Sequence, residues 1–375
     1  MIFSKFKVAA FVFFTFASLA NAGPADPQAA DDRTANVSQQ QRAFLTNFAR
    51  VSPRSSAAWP GFDIRQIPIL IVFRNAAGDP VRALALNHPN PPALGQSVNV
   101  GPLTDGSRAS EITNLKFQDE LKKIENFVFS LELGGAPTFV LSLDQESDYI
   151  FLQTDRPEFI AYVFHESFHR HQLDNFENAH DDDSQETDDF SEENIYLSRL
   201  EDLILLETKD ARSTSELEIL GAELVALREK RRARDVQVAI DDHQERIEGT
   251  ARYLEAFLVG DMGATYNLNN LHQDLEVELA EIGIKEYFGF GRFYSSGAMV
   301  IHLLDRLGAR GHKEAIAAGR SPMDALRDEL RSRGISANVE TVIRRLDPHG
   351  SLHRQAEEWA RVAENEPDIF ADERT

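Results

Sequence analysis

A chain of 375 residues with 61 acidic against 39 basic side chains has a formal net charge of −22, and it contains no cysteine. The length suffices for one large domain or two modest ones. The acidity argues against nucleic acid or an anionic membrane as partner, and without cysteine any stability must come from packing and not from disulfides.

In chain order, residues 1–22 read as a secretory signal peptide. Lys5 and Lys7 precede an apolar run from Val8 to Leu19, and Ala20-Asn21-Ala22 supplies an A-x-A cleavage site. Cleavage would start the mature chain at Gly23 and, with Lys5 and Lys7 gone, take the charge from −22 to −24. The expected location is exported, periplasmic or secreted. With no cysteine after the cleavage site a lipoprotein anchor is excluded, and no membrane insertion is expected once the signal is removed. Residues 23–40 read as a disordered leader. The sequon Asn36-Val-Ser38 matters only in a eukaryotic secretory pathway.

Residues 41–155 are expected to form an N-terminal α+β region. Ile67 to Arg74 reads as a strand, Asn75 to Pro80 as a turn and Val81 to Leu86 as the partner strand. His88 lies in a proline-rich loop and is a minor candidate for substrate contact. Helical signals run from Asp119 to Phe127. Pro137–Leu143 and Asp148–Leu152 read as two strands joined by a polar turn.

The segment 156–375 is expected to be mainly helical and to carry the chemistry. Asp155, Pro157 and Glu158 are N-cap, first-turn proline and capping-box partner. An uninterrupted helical pattern follows to Leu173 and contains His165-Glu166-Ser167-Phe168-His169. Two histidines at i and i+4 share one helix face and can reach one ion. Glu166 flanks that face, where it can take a proton from a zinc-activated water. A catalytic zinc usually has a third protein ligand. The close-spaced Gly-x-x-His continuation is excluded, because Gln172 and Asn175 occupy those positions. Beyond lies an acidic loop, 174–193, in which ten of twenty residues are Asp or Glu; it reads as solvated, with a lid or calcium role as lesser alternatives. A helical hairpin over 195–258 follows, with one helix around Tyr196–Leu206 and a longer one from Ser215 to Leu258. The basic run Arg228–Arg234 is expected to face water or to pair with the acidic loop.

In that hairpin, Glu248-Gly249-Thr250-Ala251-Arg252-Tyr253 resembles the Glu-Gly-x-Ala-x-Tyr element of the gluzincin metallopeptidases, whose first motif is His-Glu-x-x-His. The resemblance implies Glu248 as third metal ligand, with His243 and Glu245 as fallbacks. Small Gly249 and Ala251 are expected to let this helix approach the histidine helix. Phe293 to Gly308 is similar to a later gluzincin helix, which makes Tyr294 a candidate oxyanion donor. The resemblance covers roughly residues 137–330, with a wider gap between His169 and Glu248 than compact members have. It implies an α+β, zincin-like fold with a cleft between the sheet-containing region and the helical half. It also implies one Zn2+ per chain, held by His165, His169 and Glu248, and a peptide or protein substrate hydrolysed with Glu166 as general base. Two alternatives are a zinc hydrolase of a non-peptide amide or ester, and a secreted binding or assembly protein with a structural or lost metal.

Overall fold

The computed structural model describes residues 39–103, 105–144, 156–179, 189–234, 238–262, 267–268, 271 and 283–366. The expected signal peptide, nearly all of the expected leader, the expected strand Asp148–Leu152, the expected cap at Asp155 and the centre of the acidic loop lie outside them. The fold is α+β, with a mixed six-stranded sheet and many helices. The chain divides into two compact units.

The sheet unit contains helix α1 (Gln39–Val51) and strands β1 (Ile69–Arg74), β2 (Pro80–Leu86), β3 (Gln96–Pro102), β4 (Arg108–Thr113), β5 (Phe127–Leu133) and β6 (Ala136–Asp144). Their order is β3-β4-β2-β1-β6-β5. Only the β1–β6 pairing is parallel, with Ile71 opposite Leu141. Central β1 is Ile-Leu-Ile-Val-Phe-Arg and is buried at every position, as a strand covered on both faces must be. Leu70 and Val72 join Ala83, Ala85, Ile112 and Val140 in one cluster. The alternate residues Ile69, Ile71 and Phe73 are buried on the opposite side. The β1–β2 turn is closed by the Asn75 side chain, which accepts from the amides of Ala77 at 3.0 Å and Asp79 at 2.9 Å.

Where helix was expected over Asp119 to Phe127 there is one turn, Gln118–Leu121, and β5 already begins at Phe127. Its Phe-Val-Phe content favours a strand. Gly134 and Gly135, at φ +56° and +86°, make the tight turn into β6. His88 is committed to this unit: its Nε2 lies 3.1 Å from the Leu133 carbonyl, and its Nδ1 accepts from the Asn90 amide at 3.1 Å. Both ring nitrogens are used in holding the loop, which leaves none for a substrate.

Helix α2 (Pro157–Asn175) starts in the sheet unit, where Phe159 meets Phe44 of α1 at 5.3 Å, and continues from Phe164 in the helical unit. The division therefore falls inside α2, not before it. Ala57–Phe62 also belongs to the helical unit, since Trp59 and Phe62 pack on Phe168 at 5.5 and 5.1 Å.

The helical unit continues with α3 (Glu192–Thr208), α4 (Thr214–Arg232) and α5 (Val238–Val259). A π-helical turn (Tyr287–Gly291) then leads into α6 (Arg292–Arg306). Four helices complete it: α7 (His312–Ala317), α8 (Pro322–Ser332), α9 (Val339–Leu346) and α10 (Ser351–Ala363). The single helix expected from Ser215 to Leu258 is thus two, α4 and α5. Ser213 and Glu216 close a full capping box at the start of α4.

The basic run does not behave as a surface patch. Leu224, Leu227, Arg228 and Arg231 follow i, i+3, i+4, i+7 spacing, so the buried stripe of α4 continues through two arginines. Buried Glu201 of α3 binds Arg228 at 3.0 Å, Arg231 at 3.0 Å and Arg292 of α6 at 3.3 Å. Arg228 also binds Glu245 of α5 at 2.8 Å, and Asp202 takes hydrogen bonds from Arg292 and the Tyr287 hydroxyl, both at 2.9 Å. Among the described residues, Arg234, which pairs with Glu193, matches the expected link to the acidic segment.

Burial alone would raise the Glu201 pKa, but three guanidiniums outweigh it and bring it down to about 2. The folded value lies below the ordinary one. Its contribution is therefore complete above about pH 4.5 and is lost as pH falls towards 2, amounting to about 3 kcal/mol. Glu201→Gln should lower the melting temperature at pH 7 and flatten its decline between pH 4.5 and 2.5, measured by thermal denaturation across that range.

Candidate metal centre

Helix α2 presents His165 and His169 on one face, and both are buried. Their rings meet edge-on with centroids 4.7 Å apart. Glu248 of α5 closes the set. One of its oxygens, Oε2, lies 3.3 Å from His165 Nε2 and 3.3 Å from His169 Nε2. Those contacts are longer than a good charge-assisted hydrogen bond, about 2.7–2.9 Å. They match the spacing of two donors bound ~2.1 Å from one tetrahedral ion, which stand roughly 3.4 Å apart.

What lies behind each ring shows which nitrogen is left for a cation. His165 Nδ1 is 3.1 Å from Glu255 Oε2, a carboxylate that accepts only. Nδ1 therefore donates there, and Nε2 is turned to Glu248. Glu255 is itself paired with Arg252. His169 Nδ1 is 2.6 Å from Gln172 Oε1, and the amide nitrogen of Gln172 donates 2.8 Å to the Ile247 carbonyl. Since a carbonyl can only accept, the amide orientation is fixed and His169 Nδ1 must carry a proton. Both Nε2 lone pairs and a carboxylate oxygen then face one point, an arrangement that requires a positive charge.

The electrostatics agree. With neutral imidazoles, Glu166, Glu248 and Glu255 against Arg252 leave two negative charges, which a divalent cation would balance. Without an ion, protons take that role. Burial pulls the His165 pKa down, yet Glu248 and Glu255 overcome it and lift it to about 10. His169 is raised as well, Glu248 outweighing burial. Glu248 is largely but not wholly withdrawn from water, which would raise its pKa, but the two histidines hold it well below the usual carboxylate range. Glu166 shifts the other way, pushed up by burial, and its Oε2 is buried without a hydrogen-bond partner. Tyr294 lies parallel to His165, with centroids 5.8 Å apart, and its hydroxyl hydrogen-bonds to Glu248. Burial and the neighbouring carboxylates raise its pKa, so it remains a protonated donor.

The fallback ligands are elsewhere. Glu245 is engaged by Arg228 and by the Ser296 hydroxyl at 2.7 Å, and His243 is not among the described residues whose donor atoms gather at this point. A second grouping, Glu192, His353 and Glu357, is largely exposed. There Nε2 faces Glu192 at 3.2 Å and Nδ1 faces Glu357 at 3.9 Å, so the imidazole bridges two carboxylates as a surface ion pair does.

Two partners of the site were missed in the sequence. Gln172 is three residues after His169 and Glu255 is seven after Glu248, so each shares a helix face with a candidate ligand. That spacing was the available signal. The small residue of the second motif also has a different task from the expected one. A Cβ at Gly249 would lie 2.6 Å from the Gly297 Cα, and a Cβ at Gly297 would lie 2.5 Å from the Glu245 carbonyl oxygen. Gly249 thus permits backbone contact of α5 with α6, the helix of Tyr294; the approach it was expected to serve was that of α2.

Comparisons of the chain with protein family models, curated proteins and solved structures give no match, so the reading of this site rests on its own geometry.

Gly297→Ala should push α6 off α5 and destabilise the protein by about 1–3 kcal/mol, seen as a lower melting temperature in thermal denaturation. An unchanged melting temperature would contradict the backbone contact.

Proposed function

We propose that the chain is a zinc-dependent metallopeptidase of the gluzincin type, exported to the periplasm or secreted, with its α+β fold arranged in the zincin manner. The observation that carries this reading is the convergence of His165 Nε2, His169 Nε2 and Glu248 Oε2, with 3.3 Å from the carboxylate oxygen to each nitrogen and both Nδ1 atoms committed to acceptors. The export part rests on the N-terminal signal pattern. No helix among the described residues is long and apolar enough to cross a membrane.

His165, His169 and Glu248 would hold one zinc ion. Zinc supplies Lewis acidity when bound, lowering the pKa of a water to ~7. The unpartnered oxygen of Glu166 is suited to accept a proton from that water, and its raised pKa suits it to deliver the proton to the leaving amine. Tyr294, kept protonated, would turn its hydroxyl from Glu248 to the oxyanion of the tetrahedral intermediate. Glu255 and Gln172 would hold the imidazoles in the tautomer that offers Nε2.

Metal content of protein purified without chelators or a histidine tag should be one zinc per chain. Glu248→Ala should lose zinc sharply while remaining folded by circular dichroism. A wild-type protein that stays metal-free after zinc is added back would overturn the reading. Glu166→Gln should retain zinc and lose at least about 100-fold in peptide hydrolysis, assayed with a peptide library beside simple amides and esters. Undiminished activity in that variant would rule out Glu166 as the base, and cleavage of esters alone would redirect the substrate class.

A further inference from the structure

We infer that Gln172 is a positioning residue that sets the ligand geometry of His169 and Glu248 together, an inference that rests on the zinc reading above. Its side chain is almost fully buried and every polar atom is used. Oε1 accepts from His169 Nδ1 at 2.6 Å, while Nε2 donates 2.8 Å to the Ile247 carbonyl and 2.7 Å to Thr250 Oγ1. Ile247 is the residue before Glu248, and Thr250 is two residues after it. Thr250 hydroxyl is itself 2.7 Å from the Arg246 carbonyl, to which it donates, so it offers a lone pair to the amide.

Flipping the carboxamide would oppose Oε1 to the Ile247 carbonyl and remove the acceptor from His169 Nδ1. The amide therefore has one orientation, and with it His169 has one tautomer. The two histidines are keyed to α5 differently. His165 is held by a side chain of α5 itself, Glu255. His169 is held by its own helix, through a residue that also grips α5 on both sides of the third ligand, at the Ile247 carbonyl and the Thr250 hydroxyl. One side chain thus fixes the Nε2 direction of His169 and the height at which Glu248 meets it.

The test is the zinc dissociation constant of the full chain, by chelator competition, for wild type, Gln172→Leu and Gln172→Glu. The absorption spectrum of each cobalt-substituted form reports ligand geometry. A positioning role predicts that Gln172→Leu binds zinc 10–100-fold more weakly, with an altered cobalt spectrum. Gln172→Glu still offers an acceptor to Nδ1–H but sets its second oxygen against the Ile247 carbonyl, so it should weaken zinc less than Gln172→Leu does while also altering the spectrum. A packing role predicts the reverse order, because leucine fills the volume while a buried carboxylate is unfavourable. The reverse order, or unchanged affinity in Gln172→Leu, overturns the inference and leaves the zinc reading standing. A wild type that binds no zinc overturns both. Should Gln172→Leu fail to fold, Thr250→Val removes one of the two acceptors that hold the amide. It should weaken zinc by about 2–10-fold, and an unchanged affinity there would equally count against the inference.

Discussion

The helical unit is organised around a repulsion. His165 Nε2, His169 Nε2 and Glu248 Oε2 are all electron-rich and are held 3.3 Å apart across the carboxylate, deep enough that water screens them poorly. Such an arrangement persists only if a cation occupies the centre and if surrounding groups keep the acceptors from turning away. The lifted histidine pKa values express the first condition, with protons supplying the charge. Glu255 and Gln172 express the second, since each ties up the Nδ1 that would otherwise allow its ring to rotate.

Holding three acceptors on two helices requires the helices themselves to be placed with little tolerance. Helix α5 brings Glu248 and lies in backbone contact with α6 at Gly249 and Gly297. Four residues before Gly249, Glu245 takes hydrogen bonds from Ser296 of α6 and Arg228 of α4. From there the ion network runs to Glu201 and Asp202 of α3 and back to Arg292 at the start of α6. A buried ion network of this kind is weak evidence for extra stability, because desolvation offsets much of the Coulomb attraction. Its directionality is what distinguishes it from apolar packing: guanidinium forks and carboxylates tolerate few relative helix positions. The same four helices fix Glu248 and Tyr294.

How much of this was legible in the sequence follows from the range of each interaction. His165, Glu166 and His169 form a pattern set by one helix turn, and a helix is predictable from local signals, so their shared face could be read directly. Glu248 lies 79 residues beyond His169, and only the resemblance of its motif pointed to it; the structure brings it to both histidines. The strands β1, β2 and β6 were readable from apolar runs and turn residues. Strand β5 was not, because the helical signal ended at Phe127, where the strand begins, and the Gly134-Gly135 turn was overlooked. The buried arginines were misjudged for a different reason. A charged run at the end of a helix usually faces water, and nothing local reveals that Glu201 and Glu245 converge on it from two other helices. The roles of Gln172 and Glu255 escaped notice because each depends on a partner helix that the sequence does not place.

The two carboxylates closest to the centre show how environment divides labour between chemically similar groups. Glu248 lies against two imidazoles and accepts from Tyr294, so its charge is compensated and its pKa is driven down despite burial. Glu166 directly follows His165 and precedes His169 by three residues, yet no donor reaches its Oε2 and burial prevails, driving its pKa up. A carboxylate held firmly ionised is suited to remain on a metal. One that gains from taking a proton is suited to move it. Pairs of titratable groups whose surroundings push them in opposite directions mark the assignment of ligand and base. Here that assignment coincides with the one the helix spacing implies, Glu166 on the flank of the histidine face and Glu248 opposite it. Position and environment point to the same two residues, which is why the proposed function gives Glu248 to the metal and Glu166 to the proton.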